Sequence, residues 1–200
     1  MATTKAVIFD LDGTLIDSAP DIAAAVNRYL TDAGWPELEV AFIERFIGYG
    51  SRKLLQDVFE IIGHPTDEAS MRTAHLAYLA NYSAAPAERT VFYPHVREDL
   101  EGLRACGLRL GICTNKPHAL TQQVLQSLNI APLFEVAIGA DAVPACKPDP
   151  GHLLAVAEGM GLDWREIVYV GDTMVDQSTA EAAGAPFFCV PWGGGGDLTV

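Results

Sequence analysis

The chain has 200 residues, of which 50% are hydrophobic, so it is long enough to bury a core without disulfides or structural metal. Its formal net charge of −13 disfavours nucleic acid and anionic membranes as partners, and no apolar run approaches the roughly 18 residues of a membrane span. The four cysteines form no CxxC pair, which argues against zinc and a disulfide framework and favours a cytoplasmic location.

Five short apolar runs, rich in β-branched and aromatic residues, predict buried strands. They lie at 6–9, 108–113, 134–138, 167–170 and 186–190. Segments with helical periodicity separate the last four runs. Strands that alternate with helices predict an α/β fold, a doubly wound, Rossmann-like parallel sheet of five strands with right-handed crossovers. Such sheets bind ligands beyond the carboxyl ends of their strands.

The interval between the first two strands breaks this alternation, because it contains helix signals only. Four apolar stripes at helical spacing occur there, with Ser18 and Ser51 as candidate N-caps of two helices. A small all-helical cap inserted after strand 1 is the simplest interpretation. We therefore predict a Rossmann-like catalytic core of residues 1–16 and 88–200, and a helical cap domain of residues 17–87.

Polar residues follow four of the predicted strands. These segments are Asp10-Leu11-Asp12-Gly13-Thr14, then Thr114-Asn115, then Lys147-Pro148-Asp149-Pro150, and finally 171–176, which contains Asp172 and Asp176. Taken singly, each segment is explained as a turn or a helix cap, because short polar side chains bond readily to the backbone. Together they meet in one crevice of a doubly wound sheet, which makes coincidence a poor explanation.

The residue types suit phosphoryl transfer. Several aspartates would repel a phosphate dianion unless a divalent cation lay between them, and Mg²⁺ prefers carboxylate and carbonyl oxygens. Candidate Mg²⁺ ligands are Asp10, Asp172 and the backbone carbonyl of Asp12. Thr114 and Lys147 are candidates to hold the phosphate oxygens. Asp10, at the strand tip, is the candidate nucleophile and Asp12 the candidate acid/base.

In order and spacing, the four segments resemble the motifs of the haloacid dehalogenase superfamily, over about residues 5–190. The helical insert resembles the small cap of that superfamily. The resemblance implies that Thr114 and Asn115 contact phosphate and that Lys147 holds both phosphate and nucleophile. It also implies that Asp176 supports the metal site or ligates Mg²⁺ through water.

Within the superfamily, the resemblance is greatest to members that hydrolyse 2-phosphoglycolate. It implies a Mg²⁺-dependent phosphatase that releases glycolate and phosphate through an aspartyl-phosphate intermediate. The segment Gly48-Tyr49-Gly50-Ser51-Arg52-Lys53 resembles a glycine loop that such members turn toward the active site. Gly48, Gly50 and a helix start suit anion binding, with Arg52 or Lys53 adding charge. The alternative is that Arg52 and Lys53 are solvated helix charges.

The sequence leaves several alternatives open. The substrate is expected to be a small phosphorylated metabolite, but a sugar-phosphate phosphatase, a pyrophosphatase and a phosphomutase need the same core residues. Asp12 argues against a 2-haloacid dehalogenase, which has no use for a second carboxylate, and an inactive binding module is disfavoured because no motif residue is missing. The oligomeric state and the role of Cys146 stay open. Superfamily members usually continue through a further helix beyond the position of Val200, and the glycines at 193–196 predict a mobile loop or tail.

Overall fold

A five-stranded parallel sheet forms the centre of the fold in the computed structural model, which describes residues 3–192. The strands in chain order are β1 (Ala6–Phe9), β2 (Ile16–Asp17), β3 (Val91–Phe92), β4 (Arg109–Cys113), β5 (Val136–Ile138), β6 (Ile167–Gly171) and β7 (Phe187–Cys189). In space the order of the main sheet is β5-β4-β1-β6-β7. The predicted fold class is therefore confirmed, with small differences at the strand ends.

Helices cover both faces of this sheet. The cap contributes α1 (Ala19–Asp32), α2 (Val40–Glu44), α3 (Ser51–Ile62) and α4 (Glu68–Ala84), and the core contributes α5 (Val96–Ala105), α6 (His118–Ser127), α7 (Pro150–Gly159) and α8 (Met174–Ala183). Side chains alternate along β1, so Ala6 and Ile8 pack with α7 and α8, whereas Val7 and Phe9 pack with α5 and α6. Burial on both faces explains why the central strands are continuous apolar runs.

The insert between β2 and β3 is helical throughout, as the sequence predicts, and has its own hydrophobic core around Val26, Leu55 and Phe59. We propose the predicted boundaries, residues 17–87, for this cap. No helix within residues 3–192 combines the length and apolar character that crossing a membrane requires. The predicted loop at 193–196 lies outside the described residues.

The two linkers of the cap pair with each other, which the sequence analysis did not predict. β2 and β3 form a separate antiparallel ribbon in which Ile16 lies opposite Phe92. Asp21, in the first turn of α1, accepts hydrogen bonds from the backbone N–H groups of Arg89 and Thr90, the latter at 2.8 Å, and from the Thr90 hydroxyl at 2.6 Å. The outgoing and returning chains are therefore fastened together beside the core.

Neither serine that was predicted as a helix cap performs that role. Ser18 is the N-cap residue of α1, but its hydroxyl makes no capping bond, and Pro20 in the first turn lacks one of the N–H groups that a cap would serve. The Ser18 hydroxyl donates to Asp12 Oδ1 at 2.6 Å instead. Ser51 lies inside α3, whose N-cap is Gly50, and its Oγ lies 2.8 Å from Nε2 of His75.

Candidate active site

Three neighbouring strands deliver the predicted catalytic side chains to one edge of the sheet. Asp10 follows β1, Thr114 follows β4 and Asp172 follows β6, and β1 pairs in parallel with both of the other strands. The backbone N–H of Asp10 donates to the carbonyl of Val170 at 2.9 Å, which continues the ladder to the strand tip. All three side chains are buried.

Close packing in the first motif requires a glycine. Gly13 has φ +82°, and a Cβ on it would lie 2.3 Å from Oδ2 of Asp172. Any side chain would therefore displace the Asp172 carboxylate as well as strain the backbone. The next residue, Thr14, donates its hydroxyl to Oδ1 of Asp172 at 2.8 Å, so the end of the first motif fixes a carboxylate of the fourth.

Three carboxylates form a cluster at this edge. One oxygen from each of Asp10, Asp172 and Asp176 lies within 4.8 Å of the others. Oδ1 of Asp10 is buried and accepts no hydrogen bond within residues 3–192, although Nζ of Lys147 lies 3.0 Å away. Buried oxygens of this kind are the donors that Mg²⁺ prefers, so the residues present fit that ion.

Asp176 differs from Asp10 because both of its oxygens are engaged. Oδ1 accepts from Nζ of Lys147 at 2.6 Å and from the Tyr169 hydroxyl at 2.8 Å. Oδ2 accepts from the backbone N–H of Thr173 at 3.0 Å and from its hydroxyl at 2.6 Å. These bonds suit Asp176 to orienting Lys147 and the loop after β6 rather than to direct ligation of a metal.

Burial and charge act against each other in the cluster. Burial raises the pKa of Asp10 to about 7; Lys147 opposes this, and Asp176, Asp172 and Asp12 add to it. Burial lowers the pKa of Lys147, but Asp10 and Asp176 outweigh that effect and hold it above its usual range. For Asp176, burial raises the pKa, and Lys147 with its hydrogen bonds brings it below the ordinary value.

We expect Asp10→Asn to raise the thermal stability of the metal-free protein at pH 8. The pKa of Asp10 is about 7 in the folded state and 3.8 in the reference state, so this group's contribution to stability falls as pH rises between those values. Above pH 7 the full cost of the buried charge is present, and asparagine removes it. The melting temperature should rise by roughly 2–8 °C at pH 8.

The measurement is thermal unfolding in chelator at pH 8 and pH 4, with exposed Asp32→Asn as the control. The gain from Asp10→Asn should shrink as the pH falls, whereas the control should show little change at either pH. A loss of stability at pH 8, or an equal gain at both pH values, would contradict the electrostatic explanation.

Asp12 stands apart from the carboxylate cluster and has a cation of its own, which the sequence analysis missed. Nζ of Lys116 lies 2.9 Å from Oδ1 and 3.0 Å from Oδ2 of Asp12, and it donates to the Tyr82 hydroxyl at 2.7 Å. Lys116 directly follows the Thr114-Asn115 motif. The sequence offered one indication of this cation, namely a lysine directly after a motif residue in a strongly acidic chain.

Asn115 joins three parts of the site. Its side-chain nitrogen donates to the carbonyl of Gly48 in the cap at 2.9 Å and to the carbonyl of Lys147 at 3.0 Å. Both amide hydrogens are therefore committed to backbone oxygens. The phosphate contact predicted for Asn115 stays a prediction, as does that of Thr114, whose Oγ1 accepts from the backbone N–H of Lys116 at 3.3 Å.

Two cavities lie between cap and core and share Asp12, Ile47 and Gly48 in their linings. The narrower one, of about 30 Å³, reaches Asp10 and Thr114. The wider one, of about 230 Å³, reaches Asp172 and is also lined by Arg45 of the cap. The accessible space at Asp10 is therefore small and is partly walled by the cap.

The predicted cap loop reaches this space through its glycines but not through its cations. Gly48 and Gly50 line the narrower cavity, and Gly50 adopts φ +88°. Arg52 forms an exposed ion pair with Glu68 at 2.7 Å, and Lys53 pairs with the nearby Asp57. Neither basic side chain lines the two cavities, which matches the alternative of solvated helix charges.

Comparison with known proteins decides the family. The sequence model for haloacid dehalogenase-like hydrolases matches residues 7–190. The chain belongs to the haloacid dehalogenase-like hydrolases. This membership confirms the superfamily and the hydrolase class that the four strand-end segments predict.

Several haloacid dehalogenase-like relatives carry a more specific name. Phosphoglycolate phosphatase of Cereibacter sphaeroides (strain ATCC 17029) is 43% identical over 181 residues, which cover 90% of this chain and 82% of the relative. The enzyme of that name from Nitrosospira multiformis is 39% identical over 191 residues, covering 94% of this chain and 84% of the relative.

Solved structures of haloacid dehalogenase-like proteins share the fold over nearly all of the chain. A predicted phosphoglycolate phosphatase from Haemophilus somnus 129pt has a TM-score of 0.89 at 29% identity, covering 100% of this chain and 91% of the other. A subfamily IA hydrolase from Geobacter sulfurreducens has a TM-score of 0.71 at 30% identity, covering 93% and 86%.

Proposed function

We propose that this haloacid dehalogenase-like hydrolase is a Mg²⁺-dependent phosphatase that converts 2-phosphoglycolate to glycolate and phosphate. The observation that carries the proposal is that Asp10, Asp12, Lys147 and Asp172 lie together at one edge of the sheet, beside a space that the cap partly walls. The curated relatives named phosphoglycolate phosphatase, up to 43% identical to this chain, support the substrate.

Asp10, Asp172 and the backbone carbonyl of Asp12 would hold Mg²⁺, and Asp176 would support them through Lys147. When bound, the ion offsets the negative charge of the carboxylates and the phosphate and favours the ionised form of Asp10. Buried Asp10, whose Oδ1 accepts no hydrogen bond within residues 3–192, is the feature of the site that fits this ion.

The chain's own residues then divide the chemistry in two steps. A carboxylate oxygen of Asp10 attacks phosphorus, the bond from phosphorus to the ester oxygen breaks, and Asp12 gives a proton to the departing glycolate oxygen. Water next attacks phosphorus of the aspartyl-phosphate, Asp12 takes a proton from that water, and the Asp10 carboxylate is restored. Lys147, with Thr114, would hold phosphate oxygens and offset the charge that develops in both steps.

Arg45 favours a substrate that carries a carboxylate as well as a phosphate, because it places a cation at the wider cavity. Its guanidinium carbon lies 5.7 Å from the ring centroid of Phe42 and 5.6 Å from that of Phe46. The Arg45 side chain lines the wider cavity and forms neither an ion pair nor a hydrogen bond with residues 3–192. The other cation at these cavities, Lys116, is engaged by Asp12. An anionic group remote from the phosphate would find its cation in Arg45.

Other activities of the family are less well supported. The Asp12 carboxylate, fixed by Ser18 and Lys116, has no task in a 2-haloacid dehalogenase. An inactive binding module would not need the buried Asp10 and Lys147 pair, whose desolvation is costly. A phosphomutase, a sugar-phosphate phosphatase and a pyrophosphatase are outcomes of the substrate panel described below.

The proposed partner is a small phosphorylated metabolite, and the proposed location is the cytoplasm. The acidic net charge of −13 supports the absence of nucleic acid and membrane partners. Free Cys106, Cys113, Cys146 and Cys189 support a reducing compartment.

Activity toward an aryl phosphate should require Mg²⁺ and disappear in excess chelator, because the carboxylate cluster would repel the phosphate without a cation. Ca²⁺ should restore little turnover, since its larger and looser coordination shell would misplace phosphorus relative to Asp10. The measurement is steady-state hydrolysis in chelator with Mg²⁺ or Ca²⁺ added back in excess. Full activity in chelator would overturn the metal assignment.

Arg45→Met should lower kcat/KM for 2-phosphoglycolate while sparing substrates that lack a carboxylate. Loss of a charge-assisted contact should reduce kcat/KM for 2-phosphoglycolate roughly 10- to 100-fold. The panel pairs 2-phosphoglycolate with an aryl phosphate, sugar phosphates and pyrophosphate, and product analysis separates hydrolysis from phosphate transfer within a sugar. Arg52→Met is the matched control, because its guanidinium pairs with Glu68 outside the cavities.

Equal losses of kcat/KM on every substrate would contradict the role of Arg45. A preference of the wild-type protein for another phosphate would overturn the proposed substrate.

A further inference from the structure

Lys116 is the most completely engaged cation near the reaction centre that the proposed mechanism does not use. Its three N–H donors face the two carboxylate oxygens of Asp12, at 2.9 and 3.0 Å, and the Tyr82 hydroxyl, at 2.7 Å. The Lys116 side chain is 2% exposed and that of Asp12 is 11% exposed. An ammonium group held so far from water is costly unless its partners are fixed.

The contacts of Asp12 come from different parts of the chain. Lys116 belongs to the core, after β4, whereas Ser18 lies at the start of the cap, directly before α1, and donates to Oδ1 of Asp12 at 2.6 Å. Tyr82 belongs to α4 of the cap, and Nζ of Lys116 lies 4.4 Å from the centroid of its ring. The acid/base carboxylate is therefore held from two sides, and one of its supports is itself held by the cap.

We propose that Lys116 is a positioning residue that fixes the carboxylate of Asp12 toward the leaving group, and that Tyr82 makes this position depend on contact between cap and core. Lys116 does not touch phosphorus; it acts through Asp12. Movement of α4 away from the core would remove the Tyr82 hydroxyl and leave the ammonium free to shift, taking the carboxylate with it. The inference rests on the proposed role of Asp12.

A double-mutant cycle tests the proposal. Lys116→Met should lower turnover roughly 10- to 100-fold, the cost of misplacing a catalytic group by about 1 Å. In an Asp12→Asn background, the same substitution should have little further effect, because the group that Lys116 positions is already lost. Effects that multiply in the double variant would show that Lys116 acts independently of Asp12 and would overturn the proposal, as would unchanged turnover of Lys116→Met alone.

The dependence of kcat/KM on the leaving group distinguishes a positioning role of Lys116 from a merely structural role, which would affect all substrates alike. Mispositioned Asp12 harms protonation of a poor leaving group most, so Lys116→Met should lower kcat/KM more for an alkyl phosphate than for p-nitrophenyl phosphate. Equal losses on both would count against the proposal. The double-mutant cycle can be measured with p-nitrophenyl phosphate, which does not depend on which alkyl phosphate the enzyme prefers. A wrong substrate assignment would leave this measurement unchanged, whereas a wrong role for Lys116 would change it.

If the Lys116→Met variant does not fold, Tyr82→Phe provides a second test of the proposal. The substitution removes only the hydroxyl that accepts from Lys116 and should lower turnover by roughly tenfold or less, again only when Asp12 is present. Tyr29→Phe is the matched control, since its hydroxyl lies 3.3 Å from Nε2 of His64 within the cap and away from Asp12. An equal effect of the two tyrosine substitutions, or an effect of Tyr82→Phe that persists in the Asp12→Asn background, would overturn the proposal.

Discussion

Asp10→Asn is expected to abolish turnover while the protein stays folded. An amide neither attacks phosphorus nor carries the charge that helps to hold Mg²⁺. The loss should exceed the roughly 10²- to 10⁴-fold that removal of a general acid or base costs, because no other side chain of the carboxylate cluster is placed to replace the nucleophile. Asp172 is bound by Thr14, and both oxygens of Asp176 are engaged.

The measurement combines single-turnover kinetics with mass spectrometry of the peptide that contains Asp10. Wild-type protein quenched during turnover should carry phosphate on Asp10, and the asparagine variant should carry none. Asp32→Asn, an exposed substitution of the same chemistry, controls for the loss of one carboxylate. Phosphate trapped on another residue, or substantial residual turnover of the variant, would refute the assignment of the nucleophile.

Asp12→Asn should produce a different defect, in which a phosphorylated enzyme accumulates. The substitution keeps the backbone carbonyl but removes the proton donor and acceptor, so each step that transfers a proton should slow by roughly 10²- to 10⁴-fold. An activated aryl phosphate needs little protonation of its leaving group. Formation of the aspartyl-phosphate on Asp10 should therefore suffer less than its hydrolysis.

Rapid-quench experiments with p-nitrophenyl phosphate should show a burst of nitrophenol followed by slow turnover in Asp12→Asn. The size of the burst should approach one equivalent per site, and an alkyl phosphate should give a smaller burst because its leaving group needs the proton. Undiminished steady-state turnover, or slow turnover without a phosphorylated intermediate, would contradict the assignment of Asp12. Gln177→Ala, which removes an amide that donates to Glu181 along α8, provides a control for altered polarity near the site.

The sequence predicted most of the fold because its periodicities were unambiguous. Buried parallel strands require continuous apolar runs, and Ala6–Phe9 is such a run, so β1 and the position of Asp10 at its end were both predictable. The short ribbon of β2 and β3 was not predictable in this way. Each of these strands has only two residues, one of them the charged Asp17, and so shows no hydrophobic periodicity. The two strands pair only when the cap folds between them.

The site was predictable where motif residues follow strands and less so where contacts are made across the cap. Spacing placed Asp10, Thr114 and Asp172 at one edge, as the structure shows. Spacing did not reveal that Lys116 turns toward Asp12, because Lys116 lies in the irregular segment between β4 and α6, where no periodicity sets the direction of a side chain. Arg45 was overlooked for a similar reason, because its place depends on how α2 packs against α1 within the cap.

The paired linkers of the cap bear on how enzymes of this architecture acquire new substrates. The insert leaves the core at β2 and returns at β3, whose residues Ile16 and Phe92 lie side by side. Its two ends are therefore as close together as neighbouring strands allow, about 5 Å. A segment whose ends are adjacent can be replaced by an unrelated segment without moving any strand of the main sheet. Recombination between β2 and β3 would therefore exchange the cap and leave the phosphoryl-transfer residues of the core in place.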